Sequence, residues 1–101
     1  MSHSPGMSYS VVASSRFRRQ ARTLAKQHPK DFPGLFDLAL EILRVDPFGT
    51  SRRSRVLKLT RIAPGKGQYR LRLRRYRFRY DVRGRTVELL FCGFRREDTY
   101  K

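Results

Sequence analysis

Tyr69-Arg70-Leu71-Arg72-Leu73-Arg74-Arg75-Tyr76-Arg77-Phe78-Arg79-Tyr80-Asp81-Val82-Arg83 alternates bulky apolar side chains with arginine. Side chains along a strand point to opposite faces with a period of two. The pattern therefore predicts two strands, each with one apolar and one basic face. Arg74-Arg75 supplies a tight turn between them. Pairing Leu73 with Tyr76 then sets Arg72 opposite Arg77 and Arg70 opposite Arg79. Facing side chains in an antiparallel pair lie about 5 Å apart, and like charges directly opposite are destabilising. Four arginines so arranged imply a polyanion that offsets their repulsion.

Downstream, a turn at Arg83-Gly84 or Gly84-Arg85 returns the chain as a further strand over 86–94. The two registers differ by an even number of residues, so either one places Val87, Leu89 and Phe91 on the Tyr76/Phe78/Tyr80 side. Upstream, Val56 to Ile62 has strand character and Pro64-Gly65-Lys66-Gly67 reads as a turn. Residues 48–55 form a polar connection carrying Arg52, Arg53 and Arg55.

The first half is helical after a short strand at Tyr9–Ala13. Ser14 and Ser15 offer an N-cap. From Arg16 to His28, Phe17, Ala21, Leu24 and Ala25 recur at helical spacing, and Pro29 ends the segment. A second helix begins near Asp31-Phe32-Pro33 and stops at Asp46-Pro47. Only Asp37, Glu41 and Arg44 form its polar stripe, so it should be buried or covered by a partner. Two helices joined by a few residues make an antiparallel hairpin.

Composition narrows the function classes. The 101 residues carry 24 basic and 8 acidic side chains, a net charge of +16, with 39% hydrophobic content that suits a globular domain. Lysine occurs only at 26, 30, 58, 66 and 101. An arginine-dominated surface favours nucleic acid, because the planar fork matches phosphate bidentately and stacks on bases. Cys92 is the single cysteine, which rules out an internal disulfide and fits a reducing compartment. No apolar run is long enough for a membrane span, and the N-terminus has no signal-peptide core, so cytoplasm is the expected location. Residues 1–7 read as a flexible leader or an artificial addition and 8–101 as one domain. Cys92, His3 and His28 make no metal site, and no cofactor is expected.

These pieces resemble, in order and spacing, the RelE/ParE toxin superfamily of type II toxin–antitoxin systems. They are a strand, a helical hairpin, Asp46-Pro47-Phe48, Lys58-Leu59, the YRLRL strand, Tyr76-Arg77-x-x-Tyr80 and Gly93-x-Arg95-Arg96-x-x-x-Tyr100. The resemblance implies an α+β fold: an N-terminal strand and an antiparallel two-helix hairpin packed on a curved antiparallel sheet. It implies a cognate acidic antitoxin in a toxin–antitoxin hetero-oligomer, with no membrane partner.

In its RelE-like branch it further implies an mRNA endoribonuclease that works in the ribosomal A site, in contact with mRNA and rRNA. The mRNA 2′-hydroxyl would attack the adjacent phosphate, leaving a 2′,3′-cyclic end. Arg70, Arg72, Arg77, Arg95 and Tyr100 take the catalytic positions by this resemblance, and Arg74, Arg75, Arg79 and Arg96 lie beside them as RNA-binding residues. Arg72 and Arg77 would stabilise the phosphate in flight, Arg95 the leaving oxygen, and Tyr100 would stack on or orient a base. Glu97 and Asp98 would screen Arg95 and Arg96. Arginine at 70 and 72 stands where RelE has lysine, and an arginine is a poor general base, so the base is unassigned. A ParE-like gyrase inhibitor and a non-enzymatic basic module, binding nucleic acid or antitoxin, are the alternatives.

Overall fold

A computed structural model describes residues 8–51 and 55–95. The chain runs β1 (Ser10–Ala13), α1 (Ser15–Gln27), α2 (Phe32–Val45), β2 (Val56–Lys58), β3 (Tyr69–Leu73), β4 (Tyr76–Arg83) and β5 (Thr86–Phe94). The five strands form one sheet in the order β1-β5-β4-β3-β2. Three pairs are antiparallel and β1 joins β5 in parallel. The expected antiparallel sheet thus gains one parallel pair, because α1 and α2 carry the chain away from β1 before the other strands are made.

Local chemistry explains the helix ends. The Ser14 hydroxyl accepts from the Phe17 amide at 3.0 Å, capping α1. Pro33 sits in the first turn of α2, where it removes no helical hydrogen bond. After α2, the Asp46 carboxylate gathers the Thr50 amide and hydroxyl and the Ser51 amide, closing the loop.

α1 lays Phe17 and Leu24 on the sheet, and α2 adds Phe32, Ala39 and Leu43. They meet Leu71, Tyr76, Phe78, Tyr80, Val87 and Leu89 in a single core. Phe32 and Phe36 stack at 5.6 Å and reach Tyr76 and Phe78. α2 is less covered than its composition suggests, since Leu38 is 42% and Val45 67% exposed.

The Tyr80 hydroxyl donates to the Pro47 carbonyl at 2.7 Å, tying the sheet to the end of α2. Burial, then Tyr69 and Asp46, push this phenol above its ordinary range. Tyr80→Phe would leave a buried carbonyl unpaired. It should cost about 1–2 kcal/mol, read as a melting temperature roughly 5–15 °C lower. Thermal unfolding followed by circular dichroism checks this, and an unchanged midpoint would remove the tie.

Two strands depart from the sequence reading. β2 spans Val56–Lys58 and not Val56 to Ile62, because Arg61 adopts φ 61° and turns the chain towards Pro64. In β5 the register slips between Arg79/Phe91 and Tyr80/Leu89, leaving Leu90 as a β-bulge. One extra residue reverses the side-chain parity beyond it. Cys92 and Phe94 therefore pair with Phe78 and Tyr76 on the core side, while Phe91 pairs with Arg79 on the outer face. The expectation that Phe91 shares the Val87/Leu89 side is thus corrected. Helix α1 completes the distorted edge: Gln20 Oε1 accepts from the Cys92 amide at 2.9 Å, and the Ser14 amide donates to the Leu89 carbonyl at 2.9 Å.

Candidate nucleic-acid interface

The β3–β4 pairing places Arg70 against Arg79 and Arg72 against Arg77, with Leu73 and Tyr76 flanking a turn at Arg74-Arg75 as the alternation requires. Arg74 takes φ 56° there, a left-handed conformation that costs a non-glycine residue about 1 kcal/mol or more. Beyond β5, the Arg95 amide donates to the Arg75 carbonyl at 2.7 Å. The β4–β5 ladder thereby extends one step, and Arg95 is carried to the Arg77 side of the sheet. Gly93 lies directly across from Arg77 and contributes no side chain to that row.

Arg70 and Arg95 both feel the charges of Arg72 and Arg77. Desolvation, then Arg77, Arg72 and Arg79, hold the Arg70 guanidinium below its ordinary pKa. Desolvation, then Arg77, Arg72 and Arg70, do the same to Arg95. Arginine's ordinary value is so high that the face stays cationic. The buried Nε atoms of Arg70 and Arg77 have no hydrogen-bond partner among the described residues, although buried donors are normally paired. These donors suit an anion that the protein does not itself supply.

The other expected RNA-binding arginines divide. Arg74 and Arg75 are exposed at the hairpin tip. Arg79 is turned to an internal task, with Nε donating to the Gly67 carbonyl at 2.9 Å and Nη2 to the Lys66 carbonyl at 3.0 Å. Arg96 and Tyr100 lie outside the described residues.

Sequence reasoning gave no role to Asp81, which alternation places on the basic face. It is only 3% exposed. Its Oδ2 accepts from the Gly65 amide at 2.7 Å and its Oδ1 from the Gln68 amide at 2.8 Å. Together with Arg79 it pins the 64–68 loop across one end of the outer face and leaves the arginine cluster at the other. Gly67 is required at the contact: φ is +84°, and a Cβ there would stand 3.1 Å from the Arg79 Cβ. The available signal was one acid in an arginine row, preceded by a glycine-rich turn.

Glu97 and Asp98 lie outside the described residues, and His28 and Cys92 sit away from the arginine cluster. His28 packs against Phe94 at 4.3 Å between ring centroids and Tyr76 at 5.7 Å. The Cys92 thiol is buried and its pKa is pushed up to about 12 by desolvation, which suppresses the nucleophilic thiolate. Among the described residues no group of three His, Cys, Asp or Glu could hold a metal ion, and no helix is long and apolar enough to cross a membrane.

One chain of the toxin–antitoxin complex RelBE2 from Mycobacterium tuberculosis superposes with a TM-score of 0.64, over 87% of this chain and 99% of that one, at 22% identity. The chain has the RelE fold. The expected architecture of helical hairpin on curved sheet is therefore correct. No family model and no curated protein matches the sequence. Within the RelE fold, the arginine cluster occupies the outer face of β3, β4 and the end of β5, opposite the face that packs α1 and α2.

Proposed function

We propose that this protein is the toxin of a toxin–antitoxin pair and acts as a ribosome-dependent mRNA endoribonuclease. The observation that carries the reading is the convergence of Arg70, Arg72, Arg77 and Arg95, with two buried guanidinium Nε donors unpartnered among the described residues. Such an array is preorganised for a phosphate that gains charge during reaction. The 2′-oxygen of one nucleotide attacks the adjacent phosphorus and the bond to the 5′-oxygen breaks, leaving a 2′,3′-cyclic phosphate. Solvent takes the 2′ proton and returns one to the leaving oxygen, since the guanidinium groups stay protonated. Arg72 and Arg77 stabilise the equatorial oxygens, and Arg95 neutralises the leaving group.

The antitoxin half of the proposal rests on complementarity. The structural neighbour is a toxin–antitoxin complex, and an acidic partner would offset the +16 charge. A groove of about 420 Å3 between α1 and α2, floored by Phe17, Ala21, Phe32 and Phe36 and edged by Arg18 and Arg22, suits an apolar segment carrying acidic residues.

Primer extension on mRNA in a translation extract tests the nuclease claim. Added protein should produce discrete cleavages that vanish when ribosomes are omitted. Intact mRNA together with blocked gyrase supercoiling would replace this reading with the ParE-like one.

A further inference from the structure

The β-bulge at Leu90 has placed one aromatic ring on an otherwise arginine-lined region. Phe91 faces Arg79 across the β4–β5 pair, so a cation stands where a core residue would have an apolar neighbour. Gly93, two residues on along the same face, has no side chain to fill the row. A Cβ built there would lie 3.4 Å from Cζ and 3.5 Å from Cε2 of Phe91, so the ring leans over the gap beside Arg77. On the β1 side, the Arg16 guanidinium from the first turn of α1 lies 5.4 Å from the ring centroid. That contact brings a further cation round the sheet edge.

We propose that Phe91 is a stacking platform for a nucleobase that flanks the phosphate held by Arg72, Arg77 and Arg95. The proposal rests on the RNA reading above and identifies a residue that the arginine pattern did not supply. The ring reaches the gap at Gly93, directly across from Arg77, so a base stacked on it would adjoin a phosphate held by that arginine. Aromatic rings accept any base on their π-face, so the platform binds single-stranded RNA with little sequence preference. Arg16 shifts from the ring to the next phosphate when the base arrives, which extends the track from the β3–β4 hairpin to the start of α1.

A ring retained only to cover the sheet would be served equally well by leucine. The test is therefore the affinity of a short single-stranded oligoribonucleotide carrying one 2-aminopurine, with wild type, Phe91→Leu and Phe91→Trp. Wild type and Phe91→Trp should bind and quench the fluorescent purine. Phe91→Leu should bind about five- to a hundredfold more weakly, lose the quench and keep the same salt dependence. The same oligonucleotide with an abasic site at that position should weaken wild-type binding by a similar factor, a comparison that needs no altered protein. Equal affinity and quenching by Phe91→Leu, or equal affinity for the abasic strand, would overturn the platform. So would a wild-type complex that leaves the purine fluorescence unchanged at saturation. Binding with quenching but no ribosome-dependent cleavage would keep the platform and remove the nuclease reading.

Discussion

Arg77→Ala should reduce ribosome-dependent mRNA cleavage by at least about 100-fold while the protein stays folded. Removing one preorganised donor from a charge-stabilising site typically costs 10²–10³ in rate. Arg77 stands at the centre of the cluster, with Arg72 across one pair and Gly93 across the other. Its Nε has no partner among the described residues, so truncation breaks no internal hydrogen bond there. It also removes one like charge from beside Arg70 and Arg95, both of which feel it, so the melting temperature should hold or rise. Arg77→Lys keeps the charge and loses the bidentate fork, and should recover only part of the rate. Primer extension paired with circular dichroism reads both quantities. Cleavage by Arg77→Ala at the wild-type rate would remove Arg77 from the reaction, whereas loss of folding would give it a structural role instead.

Asp81→Ala should produce the opposite pattern, a loss of stability. The carboxylate is buried and accepts two backbone amides of one loop. Charge-assisted bonds of this kind contribute about 1.5–3 kcal/mol each, and their loss leaves Gly65 and Gln68 donors without acceptors. A total near 3 kcal/mol corresponds to a melting temperature lower by roughly 12–25 °C in a domain of this size. Asp81→Asn should recover little, because an amide offers one acceptor and turns its NH2 against the second donor. Arg79→Ala should cost less than Asp81→Ala, since one of the two Arg79 bonds, to the Lys66 carbonyl, is exposed to water, whereas both Asp81 bonds are part-buried and charge-assisted. If the Asp81→Ala midpoint fell within about 2 °C of wild type, the loop would not depend on this carboxylate.

The sequence was legible where a local rule decided the outcome. Alternation alone paired Leu73 with Tyr76 and so put Arg72 against Arg77, because a period of two leaves no freedom once the turn is placed. Ser14 and Pro33 likewise marked helix ends by chemistry confined to one turn. What escaped was set by contacts between distant segments. The bulge at Leu90 depends on where β1 ends and how Gln20 of α1 takes over the edge. Its only trace in the sequence is the apolar run Leu89-Leu90-Phe91, which breaks the alternation. The burial of Asp81 escaped for a related reason: the loop that covers it returns from 64–68, and no pattern within β4 announces that cover. The arginine row could be placed by pattern, but not which of its members would be spent on the fold. Arg79 serves the loop, while Arg70 and Arg77 keep donors available.

The position of β5 between β1 and β4 has a consequence for how the protein is born. β1 is translated early, yet its partners Thr86 to Leu89 come more than seventy residues later. β4 likewise has only one neighbour until β5 arrives. Contacts so distant in sequence must wait for the whole intervening chain. On the ribosome, helices and the β3–β4 hairpin can collect first, but Gly93 and Arg95 join Arg77 only once β5 has emerged. A chain with the proposed activity would therefore assemble its charged face only after β5 has been made, and the ribosome making it would be spared until then.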